Sequence, residues 1–160
     1  MVELELLDVV QTEDSPVPFV LLRHEDRILP ILVGHHEASA IQLGLMGEQV
    51  PRPMTHDLIC NILAGLRGEL KSVTIYKLEN ETFFAHLNVE QRLPDGQVAQ
   101  LLRIDSRPSD GIAIATRVGC PIFAAEEVMD AAAQTAPTGP PEEEGVEGDD
   151  EDEDEEEFDV

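Results

Sequence analysis

The chain has 160 residues, an apolar fraction of 42% and a formal charge of −24, with 10 Lys and Arg against 34 Asp and Glu. That length supports one domain with its own core, and the charge excludes a polyanionic partner held by bulk attraction. The acids are unevenly spread: Glu142 to Asp159 holds 14 of them, leaving 20 acidic against 10 basic residues, a net of −10, in the rest of the chain. Nucleic-acid binding on that domain requires a local basic patch or bridging cations.

Val2, Leu4, Leu6 and Val9, separated by Glu3, Glu5 and Asp8, predict a half-buried strand over 2–10. Thr12 to Pro18 breaks it, and Phe19 to Leu22 and Ile28 to Val33 read as a hairpin about His24 to Arg27. Ala38, Ile41 and Leu45 have helical spacing over His35 to Met46, stopped near Gly47. Pro51 and Pro53 forbid helix until Thr55, a natural N-cap with Asp57 in the first turn. Leu58, Ile59, Ile62, Leu63 and Leu66 then supply an apolar stripe to Arg67, closed by Gly68.

Leu70 to Leu78, Thr82 to Gln91 and Gln97 to Ile104 alternate as an antiparallel meander. Pro108 to Val118 reads as a packed helix stopped by Gly119, Cys120 to Ala124 as a buried strand, and Glu126 to Ala133 as a last helix. The elements describe an α+β domain over residues 1–133. Residues 134–160 read as a disordered acidic tail, suited to solubility, to shielding, or to contact with a basic protein. Cys60 and Cys120, each in apolar sequence, read as buried free thiols, and no apolar run is long enough for a membrane span, which together point to a cytoplasmic protein.

Three segments gather chemistry. His35, His36 and Glu37 open the first helix, where two of them could share a metal ion or all three could simply face solvent. Arg52 is held between two prolines just before a helix N-terminus, where free N–H groups favour anions, and His56 follows with a proton to exchange near neutral pH. The alternative there is a capping role for Thr55 and Asp57, an ion pair for Arg52 and an exposed His56. In the third segment, Asp105 to Asp110, a strand is expected to end at Asp105 and a helix to begin at Pro108. Asp105 and Asp110 then approach across one turn, with Arg107 and Ser109 between them, and could hold Mg²⁺ or Mn²⁺. Capping by Ser106 or Ser109 and pairing with Arg107 form the structural alternative.

Taken together, these segments resemble the bifunctional nuclease domain family. The residues are Leu29-Pro30-Ile31, Val33-Gly34, Glu37-Ala38, Pro51-Arg52-Pro53, Thr55-His56-Asp57-Leu58, Thr82-Phe83-Phe84-Ala85, Asp105-Ser106-Arg107-Pro108-Ser109-Asp110 and Gly119-Cys120-Pro121-Ile122. The resemblance covers about Val2 to Ala131. It implies a mixed, mainly antiparallel sheet with three to four short helices, self-association into dimers, and cleavage of DNA and RNA. It assigns the shared site to Arg52, Thr55, His56, Asp57, Asp105, Arg107, Ser109 and Asp110. The expected division of labour puts His56, Asp57, Asp105 and Asp110 in catalysis, with Asp105 and Asp110 on the metal. Arg52, Thr55, Arg107 and Ser109 are then left to bind substrate; the alternative is a non-catalytic binding or regulatory module in which the same residues are caps and salt bridges and the acidic tail contacts basic partners. The chain departs from the family pattern at Gly111 and Ser106, where Ala is usual, and Gly111 is expected to loosen the helix start by up to about 1 kcal/mol.

Overall fold

The structure, a computed structural model, describes residues 1–136; the expected acidic tail, and with it the expected contact to a basic protein, lies outside the described residues from 137 onward. Its elements are β1 (Val2–Val10), β2 (Phe19–His24), β3 (Arg27–Leu32), α1 (His35–Met46), α2 (Thr55–Gly65) and β4 (Gly68–Glu79). They continue with β5 (Thr82–Arg92), β6 (Val98–Ser106), α3 (Pro108–Val118), β7 (Ile122–Ala124), α4 (Glu126–Ala132) and β8 (Gln134–Thr135).

All eight strands join one mixed sheet in the order β6-β5-β4-β7-β1-β2-β3-β8. Every pairing is antiparallel except β4 with β7, so the three residues of β7 are inserted between two elements distant in sequence. β1 links the halves of the sheet: Val2 to Leu4 pair with β7, and Glu5 to Val10 pair with β2 across an irregularity between Leu6 and Asp8. Pro30 is tolerated inside β3 because β8 pairs only with Arg27 and Ile28, leaving the edge at Pro30 without a ladder partner.

The core lies between the sheet halves and is filled by α3. Gly111 to Ala115 are all buried, with α3 packed on β4 and β5 and against α1 and α2, and they share one core cluster with Val20, Leu22, Leu29 and Ile31 of β2 and β3. No helix among the described residues is long and apolar enough to cross a membrane. Cys60 and Cys120 are free and half-buried, and burial pushes the Cys120 thiol up to about 11, which leaves it protonated and unreactive at neutral pH.

Of the boundaries that differ from the sequence expectation, three have identifiable causes. α2 stops at Gly65, where Leu66 N–H bonds back to Ile62 and Leu63 and Arg67 turns at φ 55°; Gly68 therefore opens β4 instead of closing the helix. The fold also runs past 133, because β3 offers its edge to β8 and Ala136 N–H bonds to Asp26 carbonyl at 2.7 Å. β6 extends to Ser106, past the end expected at Ile104 to Asp105, since Asp105 pairs opposite His86 and Ser106 opposite Ala85.

Gly111, expected to weaken the helix start, also has a packing role. A Cβ there would lie 2.8 Å from Val73 Cγ1, a stiff, buried β-branched side chain, so glycine is what lets α3 sit this close to β4. We expect Gly111→Ala to destabilise the domain by about 1–2 kcal/mol, overpacking outweighing the helix-propensity gain. Thermal unfolding checks this, and a raised Tm would refute it.

Candidate active site

α1, α2 and α3 each carry an acid at the third helical position, Glu37, Asp57 and Asp110. Such acids offset the helix dipole and reach back to free N–H groups. Asp57 does this directly: its Oδ2 accepts from Met54 N–H at 2.9 Å. Met54 is therefore the N-cap residue and Thr55 the first helical residue, exposed, and not the cap expected from sequence. On α1 the cap is Gly34, and a Cβ there would collide with the Glu37 carboxylate. Glycine leaves room for Glu37 to fold back over the helix start.

The acids are joined by two arginines. Arg107 donates through Nε to Asp110 Oδ2 at 2.7 Å, and through Nη2 to Asp110 Oδ1 at 3.2 Å and Glu37 Oε1 at 3.0 Å. His56 Nε2 lies 2.9 Å from Asp110 Oδ1. Arg117, at the far end of α3, donates to Asp57 Oδ1 at 2.7 Å and to the carbonyls of Ala40 and Ala113 at 2.9 and 2.7 Å. The result is a continuous polar chain, Glu37–Arg107–Asp110–His56, with Asp57–Arg117 behind it.

The electrostatics follow from these contacts. Burial alone would raise the Asp110 pKa, but the hydrogen bonds from Arg107 and His56 outweigh it and hold the carboxyl below its ordinary range. Glu37 is lowered mainly by its own backbone N–H and then by Arg107, and Asp57 mainly by Met54 N–H and then by Arg117. Arg107 is raised by Asp110 and Glu37. Access divides the group: the Arg107 side chain is 65% exposed while that of His56 is 11% exposed. No buried side-chain nitrogen or oxygen lacks a partner among the described residues, so His56 Nδ1, which has no protein partner there, reaches solvent. Beside the cluster lies a cleft of about 410 Å³ lined by Pro30, Gly34, Phe83, Arg107, Pro108 and Ser109, a size suited to a small ligand. A hollow of about 530 Å³ between β1 and the ends of α1 and α3 has Glu3 as its only charged lining residue and offers less chemistry.

Of the residues expected from sequence, His56, Arg107 and Asp110 are brought into direct contact. Ser109 is buried in the wall of the adjoining cleft. Asp57 lies next to His56 but bonds toward Arg117 and Met54. Arg52 is exposed and makes no ion pair or side-chain hydrogen bond among the described residues. His35 and His36 face solvent, and Glu37 alone of that triplet enters the cluster.

Asp105 is not brought to Asp110. It is exposed, belongs to β6, and its strand position puts it on the sheet face opposite Ser106, whose Oγ would lie 3.6 Å from a Cβ on Gly111. Both oxygens of Asp110 are already used by Arg107 and His56, and no group of three or more metal-ligating side chains occurs among the described residues. The residues as placed do not fit an Asp105–Asp110 divalent site. Sequence reasoning missed Arg117 and the use of Glu37. A lone cation in the last turn of an otherwise small and apolar helix was the available signal for Arg117.

Three helix starts of an α+β fold thus bring acids, an arginine and a histidine together. The bifunctional nuclease domain pattern matches residues 20–137, and the chain belongs to that family. It is 40% identical over 121 residues to an uncharacterized protein of Mycobacterium tuberculosis, covering 76% of this chain and 68% of the relative. It is 28% identical over 111 residues to bifunctional nuclease 1 of Arabidopsis thaliana, covering 68% of this chain and 33% of the plant protein. With bifunctional nuclease 2 of Oryza sativa subsp. japonica it shares 29% over 113 residues, 69% of this chain and 34% of the other. The chain thus spans about a third of the plant nucleases it matches.

A carboxylate with a folded pKa below its unfolded value, about 4, contributes stability above that value and loses it as pH falls through the folded pKa. Glu37, Asp57 and Asp110 are all lowered, so their contribution is complete near neutrality and disappears below about pH 4. Arg117→Met, which removes the Asp57 pair and two carbonyl bonds, should cost roughly 2 kcal/mol at pH 7 and less at a pH low enough to protonate Asp57, where only the carbonyl share remains. Urea denaturation at the two pH values measures both, and an equal cost at each would remove the ion pair from the explanation.

Proposed function

We propose that the domain hydrolyses phosphodiester bonds of DNA or RNA, with His56 as the proton-transfer group, Asp110 positioning it and Arg107 contacting the phosphate. The observation that carries this reading is the contact of His56 Nε2 with Asp110 Oδ1 at 2.9 Å beside an Arg107 side chain that is 65% exposed. An ionised carboxylate only accepts hydrogen bonds, so the proton between them sits on Nε2 and Nδ1 keeps its lone pair. Water attacks phosphorus and gives its proton to Nδ1; the P–O bond breaks and the leaving oxygen takes that proton from the imidazolium. Arg107 uses Nε and Nη2 on Asp110 and Glu37, which leaves Nη1 for a phosphate oxygen. Arg52 and Thr55, exposed at the approach to α2, and Ser109 in the cleft are the further substrate contacts of this proposal. The plant relatives' name, bifunctional nuclease, supports the substrate class.

Cleavage of labelled single-stranded DNA and RNA in Mg²⁺, in Mn²⁺ and in EDTA tests the reading. We expect His56→Ala and Asp110→Asn each to lower kcat at least about a hundredfold, with Asp110→Asn also shifting the pH–rate profile. Asp105→Asn should stay within about threefold of the parent, because Asp105 takes no part in the cluster. Equal losses for Asp105→Asn and Asp110→Asn would restore the carboxylate pair and overturn this mechanism.

The dimer expected from the resemblance has a matching surface in the same proposal. Met54, Leu58, Ile62 and Leu66 form a stripe on α2 and are 49%, 51%, 50% and 60% exposed. A second copy seated on that stripe would cover apolar area that a lone domain leaves in water. Leu58→Glu with Ile62→Glu should convert a dimer to a monomer in sedimentation analysis, and an unchanged dimer would exclude this face.

A further inference from the structure

The sheet face opposite α3 has a distinct chemistry. Along β4, β5 and β6 the residues buried toward the core are Val73, Ile75, Ala85, Leu87 and Val89; the alternate positions form the other face. There Tyr76, Phe84 and His86 gather: Tyr76 and His86 have ring centroids 5.0 Å apart, Tyr76 and Phe84 6.4 Å apart. Lys77 Nζ stands 5.4 Å from the Phe84 centroid, and Arg103 lies close enough to His86 to lower its pKa, after the larger effect of burial. Ring packing between strands accounts for the mutual contacts but leaves Tyr76 41% exposed, and Arg103 has no ion-pair partner among the described residues.

We infer that this face is a stacking platform for a single-stranded nucleic acid, DNA or RNA, whose bases lie on Tyr76, Phe84 and His86 and whose phosphates meet Lys77 and Arg103. Rings on an open sheet, interleaved with cations, are the means by which sheets bind unpaired bases, and a duplex hides those base faces. The platform also adjoins the cluster. Asp105 pairs beside His86 on this face, and two residues later the chain reaches Arg107. A strand lying on the rings needs only to round the end of β6, the edge of the sheet, to enter the cleft at Arg107 and Phe83. Binding on the rings is independent of the proposed hydrolysis; the onward path into the site rests on that reading.

The domain's net charge of −10 opposes a polyanion, and Lys77 is already paired with Glu79, so stacking and not charge must carry the affinity. The salt dependence should therefore be shallow, a log–log slope of about −2 or less in magnitude. The test is fluorescence anisotropy in EDTA with the full chain and labelled oligo-dT, oligo-U and a DNA duplex. The parent should bind the single strands at least about tenfold tighter than the duplex, and dT against U separates the DNA and RNA arms. Tyr76→Leu with Phe84→Leu, which keeps apolar bulk and removes the ring planes, should weaken single-strand binding at least about tenfold. Thr12→Ala, exposed in the segment that follows β1 and outside both surfaces, should bind as the parent does. If the double variant does not fold, Tyr76→Leu alone, at an exposed position, should still weaken binding severalfold. Unchanged affinity in a folded ring variant, or duplex binding equal to single-strand binding, overturns the platform. Ring-dependent binding with no cleavage in any metal would uphold the platform and discard the hydrolase reading instead.

Discussion

Burial of α3 sets the terms for the rest of the molecule. From Gly111 to Ala115 the helix carries only small or aliphatic side chains and is enclosed on all sides, so its charges are confined to its two ends. Asp110 and Arg117 must each find partners at once, because a charge at the rim of a core is costly when unpaired. Asp110 takes Arg107 and His56, and Arg117 takes Asp57 and two carbonyls. Both solutions use neighbouring residues of α2, His56 and Asp57, pointing to different ends of α3. The position of His56 is thus fixed from both sides.

The same arrangement separates stability from chemistry. Arg107 with Glu37 is largely exposed on the arginine side, and such pairs contribute little to folding. Arg117 with Asp57 is the better-buried pair and carries the structural share. What the outer contacts achieve is orientation: one carboxylate fixes a histidine ring and an arginine fork together. Glu37, Arg107 and Asp110 carry one net negative charge between them, so the proposed substrate would have to be met by the helix starts, Arg107 Nη1 and the rings of β4 and β5, not by a basic field.

Much of this was legible in the sequence, for identifiable reasons. Period-two alternation found β1 to β6, and the Pro108 start with the Gly119 stop found α3, because these signals are local. The insertion of β7 between β4 and β1 was not legible, since a three-residue apolar strand does not name its neighbours. Asp105 was misread for a related reason. A carboxylate at an expected strand end looks like a turn residue, but cross-strand pairing with His86 keeps it in the ladder and alternation turns it away from Asp110. Arg117 and the pairing of Glu37 escaped because their partners lie 60 and 70 residues away.

Alternation also explains how one strand serves two surfaces. Phe83 and Phe84 are adjacent on β5, yet Phe83 lines the cleft beside Arg107 while Phe84 lies with Tyr76 on the outer face. β6 ends in the same way: Asp105 faces outward beside His86, Ser106 inward toward Gly111, and Arg107 leaves the sheet to begin the helix. A chain of unpaired nucleotides is long and flexible enough to use both faces of such an edge, and a rigid duplex is not. The close seat of α3 on Val73, made possible by Gly111, brings the Asp110–His56 pair up to that edge. A bulkier residue at 111 would move the helix and its polar end away from the strands that carry the rings, so packing in the core and the reach of the site are set by the same contact.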